Sequence, residues 1–372
     1  MSIAAFLNSG RIQTKVQAVI DNTHAFLVDP EKENFLKQMG KTPDPKMLGQ
    51  FALMDEYAPI ELSDDFRVLE YLIVRNMAIA SVIATGQEIP QTRIGQLLKF
   101  EGTFGKLAIS HVFDEEDEIR MLELAKMTSM PTAFVDMLVG SVDALQPRII
   151  KLANVLTWQA FYQGFVDFTD PRAQVAFRLR YNAPVESFPA PLIGSDLWSN
   201  PLANGIRNLQ EHSDALYHLN GFYPDETVMS KRLSRQLLNQ TSTRDYALSL
   251  GLISNIPGAN VATGVDLVIL NKLCERLDIP KIRIDDAAYE IEIAPNTTIK
   301  GRYLPDNTYA FVTKGMAKRL MGPTIEGKGK PGVFVKSEET IKSSPPQSRS
   351  YAVARMVPFI PQPKALGARK VA

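Results

Sequence analysis

Between Thr132 and Phe161, apolar residues at Phe134, Met137, Leu138, Val142, Leu145, Ile149, Leu152, Leu156 and Ala160 recur near i, i+3, i+4 and i+7. This spacing predicts an amphipathic helix, with Gly164 as its natural stop. Pro147 lies inside the pattern and predicts a kink or a restart. At 1.5 Å rise per residue, a helix of about 30 residues would span ~45 Å. A rod of that length suits a flat, extended subunit better than a small sphere.

Directly after it, Phe165 to Phe168 leads to a turn at Thr169-Asp170-Pro171-Arg172. Val175, Phe177, Leu179 and Tyr181 then alternate with Gln174, Ala176, Arg178 and Arg180. This is the cleanest period-two signal in the chain, and it predicts a strand pair. Upstream, Phe66, Leu69, Leu72 and Ile73 follow helical spacing behind the cap candidates Ser63 and Asp64, which predicts a helix.

From Ala80 to Val112 the texture changes. Ala80 to Gly86 reads as one strand and Thr103 to Val112 as another, joined through Pro90, Arg93, Gly95, Lys99 and Gly102. Together they predict a long open β-hairpin with too few apolar positions for a core of its own. A two-stranded hairpin is marginal in isolation, so it needs a neighbour to lie on. Gly86, Arg93, Lys99, Phe104 and Lys106 are accordingly the candidates for contact with a neighbouring subunit.

The acidic run Asp114 to Glu118 opens an amphipathic helix, because carboxylates favour a helix N-terminus. Pro184 to Asn200 reads as a Pro-rich connector. A broken helical stripe follows at Leu202, Ile206, Leu209, Leu216 and Leu219, with Asn200 and Pro201 as its cap and Gly221 as its end. Glu226 to Ser230 predicts a strand and Lys231 to Asn239 a helix. Further strands are expected at Tyr309 to Val312, Val333 to Val335 and Tyr351 to Val357.

Several kinds of chemistry find no support. Cys274 is the only cysteine, which removes an internal disulfide and a Cys-based zinc site; it falls in the Leu270, Leu273, Leu277 stripe as a small core residue. His24, His111, His212 and His218 lack the spacing of a shared metal site. Gly327 to Gly332 matches G-x-G-x-x-G, but Pro331 and the strand-like Val333-Phe334-Val335 follow where a nucleotide site needs a helix. Trp158 and Trp198 read as packing residues. No catalytic, cofactor-binding or metal-ligating residue is assigned, and no cofactor is expected. With 41 basic and 41 acidic residues the formal charge is zero, which argues against a dedicated nucleic-acid binder and favours association. Neither a signal peptide nor an apolar run of bilayer length is visible, so the expectation is a cytoplasmic protein with no membrane partner.

One string carries a resemblance. Val265 to Leu277 runs into Ile279-Pro280-Lys281-Ile282-Arg283-Ile284-Asp285-Asp286, and Gly301-Arg302-Tyr303-Leu304-Pro305-Asp306-Asn307-Thr308 precedes the apolar Tyr309-Ala310-Phe311-Val312. This order resembles the C-terminal half of tailed-bacteriophage major capsid proteins of the lambda-type capsid E family. The resemblance implies an α+β chain of the Hong Kong 97 fold: an N-terminal arm at 1–78, an extended loop at 79–113, a peripheral domain with a long spine helix at 114–183 and 331–372, and an axial domain at 184–330. It implies a non-enzymatic shell protein in the virion, assembled in the host cytoplasm. The implied partners are itself in hexamers and pentamers, portal, scaffolding and decoration or cement proteins, and weakly the packaged double-stranded DNA. An encapsulin-like compartment shell and a soluble α+β enzyme remain open as alternatives.

Overall fold

The computed structural model describes residues 54–65, 67–75, 95–113, 115–124, 145–169, 176–253, 265–294, 297–340 and 347–372. A helical turn at 54–57 leads into β1 (Ile60–Leu62), β2 (Arg67–Arg75), β3 (Gly95–Thr103), β4 (Gly105–Val112) and α1 (Glu115–Leu124). The middle of the chain holds α2 (Leu145–Gln163), β5 (Phe165–Thr169), β6 (Ala176–Arg180), α3 (Gly205–Asn220), β7 (Glu226–Met229), α4 (Lys231–Leu238), α5 (Thr241–Ser249) and α6 (Leu267–Arg276). Strands dominate the remainder: β8 (Lys281–Ile284), β9 (Ala288–Ala294), β10 (Thr297–Arg302), β11 (Thr308–Val312), β12 (Lys318–Gly322), β13 (Phe334–Thr340), β14 (Gln347–Phe359) and β15 (Gly367–Lys370).

These elements enclose two apolar cores, and β11 serves both. All five of its residues are buried. Ala310 and Val312 belong to the first core, Tyr309 and Phe311 to the second. Successive side chains of a strand point to opposite faces, so a strand between two cores must be apolar throughout. Its sheet runs β15-β11-β7-β8, with β7 and β8 parallel.

In the first core α2 presses Leu145, Ile149, Leu156, Trp158 and Phe161 inward with Ala352, Met356 and Val357 of β14. The five-stranded sheet here has the order β1-β12-β14-β13, and β4 also joins β14. Arg355 lies opposite Gly322 of β12 and Lys106 of β4, so those two strands flank β14 on either side. In the second core α3, α4 and α6 contribute Leu209, Leu216, Leu233, Leu237, Leu270, Leu273 and Cys274.

Local chemistry sets the helix ends. The side chains of Asn204, Ser230 and Asp266 accept from the backbone N–H groups of Arg207, Leu233 and Ile269, capping α3, α4 and α6. Gly221 ends α3 at φ +77° and Gly164 follows α2 at φ +72°, the left-handed conformation that glycine adopts without strain.

Three sequence expectations are corrected. The stretch expected as a helix at Phe66 to Ile73 is β2, paired along nine residues with β3. Its near-continuous apolar run, rich in β-branched residues, fits either period, and the partner strand decided. Gly95 to Thr103, read largely as connector, is β3, and Gly105 to Val112 forms β4 on β14; the expected mate at 80–86 lies outside the described residues. The cap of α3 is Asn204 rather than Asn200 and Pro201. The strand pair β5–β6, the helix at Lys231, the acidic opening of α1 and the strands β11, β13 and β14 stand as expected. Residues 132–144 of the expected rod lie outside the described residues, and Pro147 is the third residue of α2.

Candidate assembly surfaces

The segment 54–62 is bound to the body through charge. Arg319, the second residue of β12, is fully buried, at 0% exposure. Its Nε donates to the Ala58 carbonyl at 2.6 Å, and its terminal nitrogens donate to Asn154 of α2 and to the Asp55 carboxylate. Burial pulls the Arg319 guanidinium down and pushes the Asp55 carboxyl up, so each ion depends on the other.

A second network lies beside it. The Tyr57 hydroxyl donates to Glu226 of β7, and the Arg283 guanidinium lies 5.8 Å from the Tyr57 ring centroid. Arg283 meets Glu56 at 2.6 Å, and Lys314 pairs with the same carboxylate. Lys314 first, and Arg283 with it, hold the Glu56 carboxyl below its ordinary range. Lys318 reaches Glu61 at 3.0 Å, while β1 pairs parallel with β12. Sequence reasoning found none of these residues. A charge in a short strand such as β12 carries no local signal of its distant partner.

Among the described residues three two-stranded ribbons stand apart from the larger sheets, and of these β5–β6 packs against α2. β2–β3 joins no third strand among the described residues, and neither does β9–β10. Thr297 to Lys300 of β10 are all exposed, with Ile299 at 48%. Gly301 sits under the Tyr289 ring, where a Cβ would come within 2.5 Å of ring carbon. Two-stranded ribbons are marginal alone, and β2–β3 and β9–β10 gain from a covering surface.

Of the five candidate contact residues, three lie among the described residues. Gly86 and Arg93 lie outside the described residues. Lys99 stands on β3 opposite Tyr71. Phe104, at the joint between β3 and β4, is half-buried against the first core, close over Gly322. Lys106 is exposed and pairs with Glu326 at 2.8 Å. Phe104 and Lys106 therefore flank the passage from β3 into β4, and Lys99 lies farther back on β3.

The Gly327 to Gly332 loop spends its amides internally. The N–H groups of Gly327, Lys328, Gly329 and Lys330 donate to Thr324 Oγ1 and to the Ile325, Thr324 and Gly327 carbonyls. It leads into β13 rather than a helix, so it makes no phosphate cradle. Cys274 is buried, and burial pushes its thiol up to about 12. His212 is buried between the Tyr309 hydroxyl, 2.9 Å from Nδ1, and the Ser187 carbonyl, 3.3 Å from Nε2; burial lowers it to about 4. Trp198 stacks on Tyr309 at 5.5 Å, and Trp158 meets Phe161 edge-on at 5.7 Å. Among the described residues no group of three His, Cys, Asp or Glu is placed to hold a metal, and no helix is long and apolar enough to cross a membrane.

No family model matches the chain, and no curated protein matches it in sequence. Solved structures do. A protein described as the capsid protein of an E. coli CFT073 prophage superposes with a TM-score of 0.50 at 10% identity, covering 89% of this chain and 94% of that one. A phage-related protein of Bordetella bronchiseptica RB50 gives 0.48 at 10% identity, covering 93% and 98%. The satellite phage P4 procapsid gives 0.47 at 10% identity, covering 92% and 97%. The first of these likenesses extends over nearly the full length of both chains, and on it this protein has the fold of a phage capsid protein.

Proposed function

We propose that this chain is the major capsid protein of a tailed bacteriophage, a structural protein whose activity is self-assembly into the hexamers and pentamers of an icosahedral head around double-stranded DNA. The near full-length likeness to the prophage capsid protein carries this reading. The β2–β3 and β9–β10 ribbons support it, because each is a two-stranded sheet that a sister subunit would stabilise. On this reading residues 1–78 form an arm and 79–113 an extended loop, for which the β2–β3 ribbon supplies a stem. Residues 114–183 and 331–372 form a peripheral domain around α2, and 184–330 an axial domain around the second core. Gly86, Arg93, Lys99, Phe104 and Lys106 are the proposed contact residues. Portal, scaffolding and cement proteins and the packaged DNA are further proposed partners, in the virion and, during assembly, in the host cytoplasm.

Repetition does the energetic work in such a shell. A modest contact repeated around a closed surface becomes effectively intramolecular, so no single interface has to be strong. Expression of the full chain followed by negative-stain electron microscopy and a sizing column tests the proposal. Closed shells or capsomers support it; a monodisperse small species at every salt and protein concentration overturns it.

A further inference from the structure

Two surfaces of this chain complement each other, and the fold keeps them apart. The first is a groove of about 460 Å³ between α2, β4 and the β9–β10 ribbon. Ile109, Leu152, Phe168 and Tyr289 give it an apolar lining, each partly exposed at the margin of the first core. Arg148 and Lys151 stand on its edge, one helical turn apart on α2. Neither has an ion-pair partner among the described residues. The carboxylate in the groove, Glu290, is already engaged by Lys300 at 2.9 Å, so the rim presents net positive charge.

The second surface is α1. Glu115, Glu116 and Glu123 are exposed, and so is Ile119, at 49%. Glu115 and Glu123 lie four residues before and four after Ile119, which puts all three on one face of the helix. Arg120, the helix's one cation, is tied to Glu116. α1 lies beyond the Val112 end of β4, against β14, and among the described residues none of α1 lines the groove.

We infer that the groove receives α1 of a second copy of this chain, with Ile119 entering the apolar lining and Glu115 and Glu123 facing Arg148 and Lys151. This rests on the assembly reading and names one of its contacts. An apolar anchor ringed by charge pairs is the arrangement in which the anchor supplies affinity and the charges set register and partner choice. The two surfaces differ, so the contact is heterologous: each copy gives one helix and takes one. Heterologous contacts close into rings or extend into arrays, as a shell requires.

Charge reversal in the full-length chain tests it. Arg148→Glu with Lys151→Glu, and separately Glu115→Lys with Glu123→Lys, are expected to lower the yield of assembled particles at least tenfold by sedimentation and electron microscopy. All four changes together are expected to restore assembly to near the wild-type level. Ile119→Gln, at an exposed position, should give the same loss without any change of charge at the rim. Thermal melts by circular dichroism should match wild type throughout. Either reversal assembling as wild type does, or the combined variant assembling no better than its parents while melting normally, overturns the inference and leaves the assembly reading intact. A wild type that never assembles under the same conditions overturns both.

Discussion

Arg319→Met should detach the N-terminal segment while leaving both cores folded. The variant keeps most of the side-chain volume and removes three hydrogen bonds, to Asp55, Asn154 and the Ala58 carbonyl. Breaking a buried ion pair by deleting one partner costs about 3–5 kcal/mol. Here the ion left behind, Asp55, retains 28% side-chain exposure and a carboxyl already pushed up by burial, so it can hydrate or take a proton. The cost should therefore sit near the lower end, about 3 kcal/mol, or roughly 4 °C in melting temperature for a chain of 372 residues. Asp55→Asn should be worse. It strands a guanidinium with no exposure, and arginine does not shed its proton; about 5 kcal/mol is expected. The double variant should recover much of the loss, because no unpaired charge remains. Circular-dichroism melts give the energies, and hydrogen exchange over residues 54–62 locates them. If Arg319→Met melts within about 1 kcal/mol of wild type with 54–62 equally protected, the segment is held by something other than this ion.

His212 should make the second core acid-sensitive. Its folded pKa, lowered to about 4, lies under the ordinary 6.5, so its contribution is complete above 6.5 and declines as pH falls toward 4, by about 3 kcal/mol in all. His212→Asn should flatten that stretch of the stability-versus-pH curve, and an unchanged slope would refute the assignment. Ser230→Ala should cost about 1 kcal/mol through loss of the α4 cap, read as a shift in denaturant midpoint. Gly301→Ala drives a methyl group into the Tyr289 ring and should loosen β9–β10, seen as faster amide exchange confined to that ribbon. Deleting residues 87–101 removes most of β3 but neither core; the subunit should melt cooperatively yet fail to form shells, and normal shells by electron microscopy would exclude a role for the ribbon in assembly.

Elements whose signals are local were legible in the chain. β5 and β6 alternate cleanly and pair with each other across a short turn. Gly164 and Gly221 mark helix ends because such a stop depends on neighbouring residues alone. The order of segments leading to Tyr309-Ala310-Phe311-Val312 carried the resemblance to capsid proteins, and β11 proves to be the strand the two cores share. Where the reading erred, the missing information was a distant partner. Val68 to Val74 fits a helix or a strand equally until Gln96 to Gly102 lies beside it. Nothing near β4 in the chain announces that a segment far downstream returns to place Val353 opposite Ala108.

Periodicity, capping and turn residues act over a few positions, so the amino-acid order alone determines most helices and many strands, and its one cysteine excludes an internal disulfide. Which strand pairs with which, that Arg319 is swallowed whole, and that no described residue of the acidic helix α1 lines the basic groove are decided only when the whole chain closes. Burial and Coulomb energy depend on what lies across the gap, and the chain places those neighbours there from remote segments.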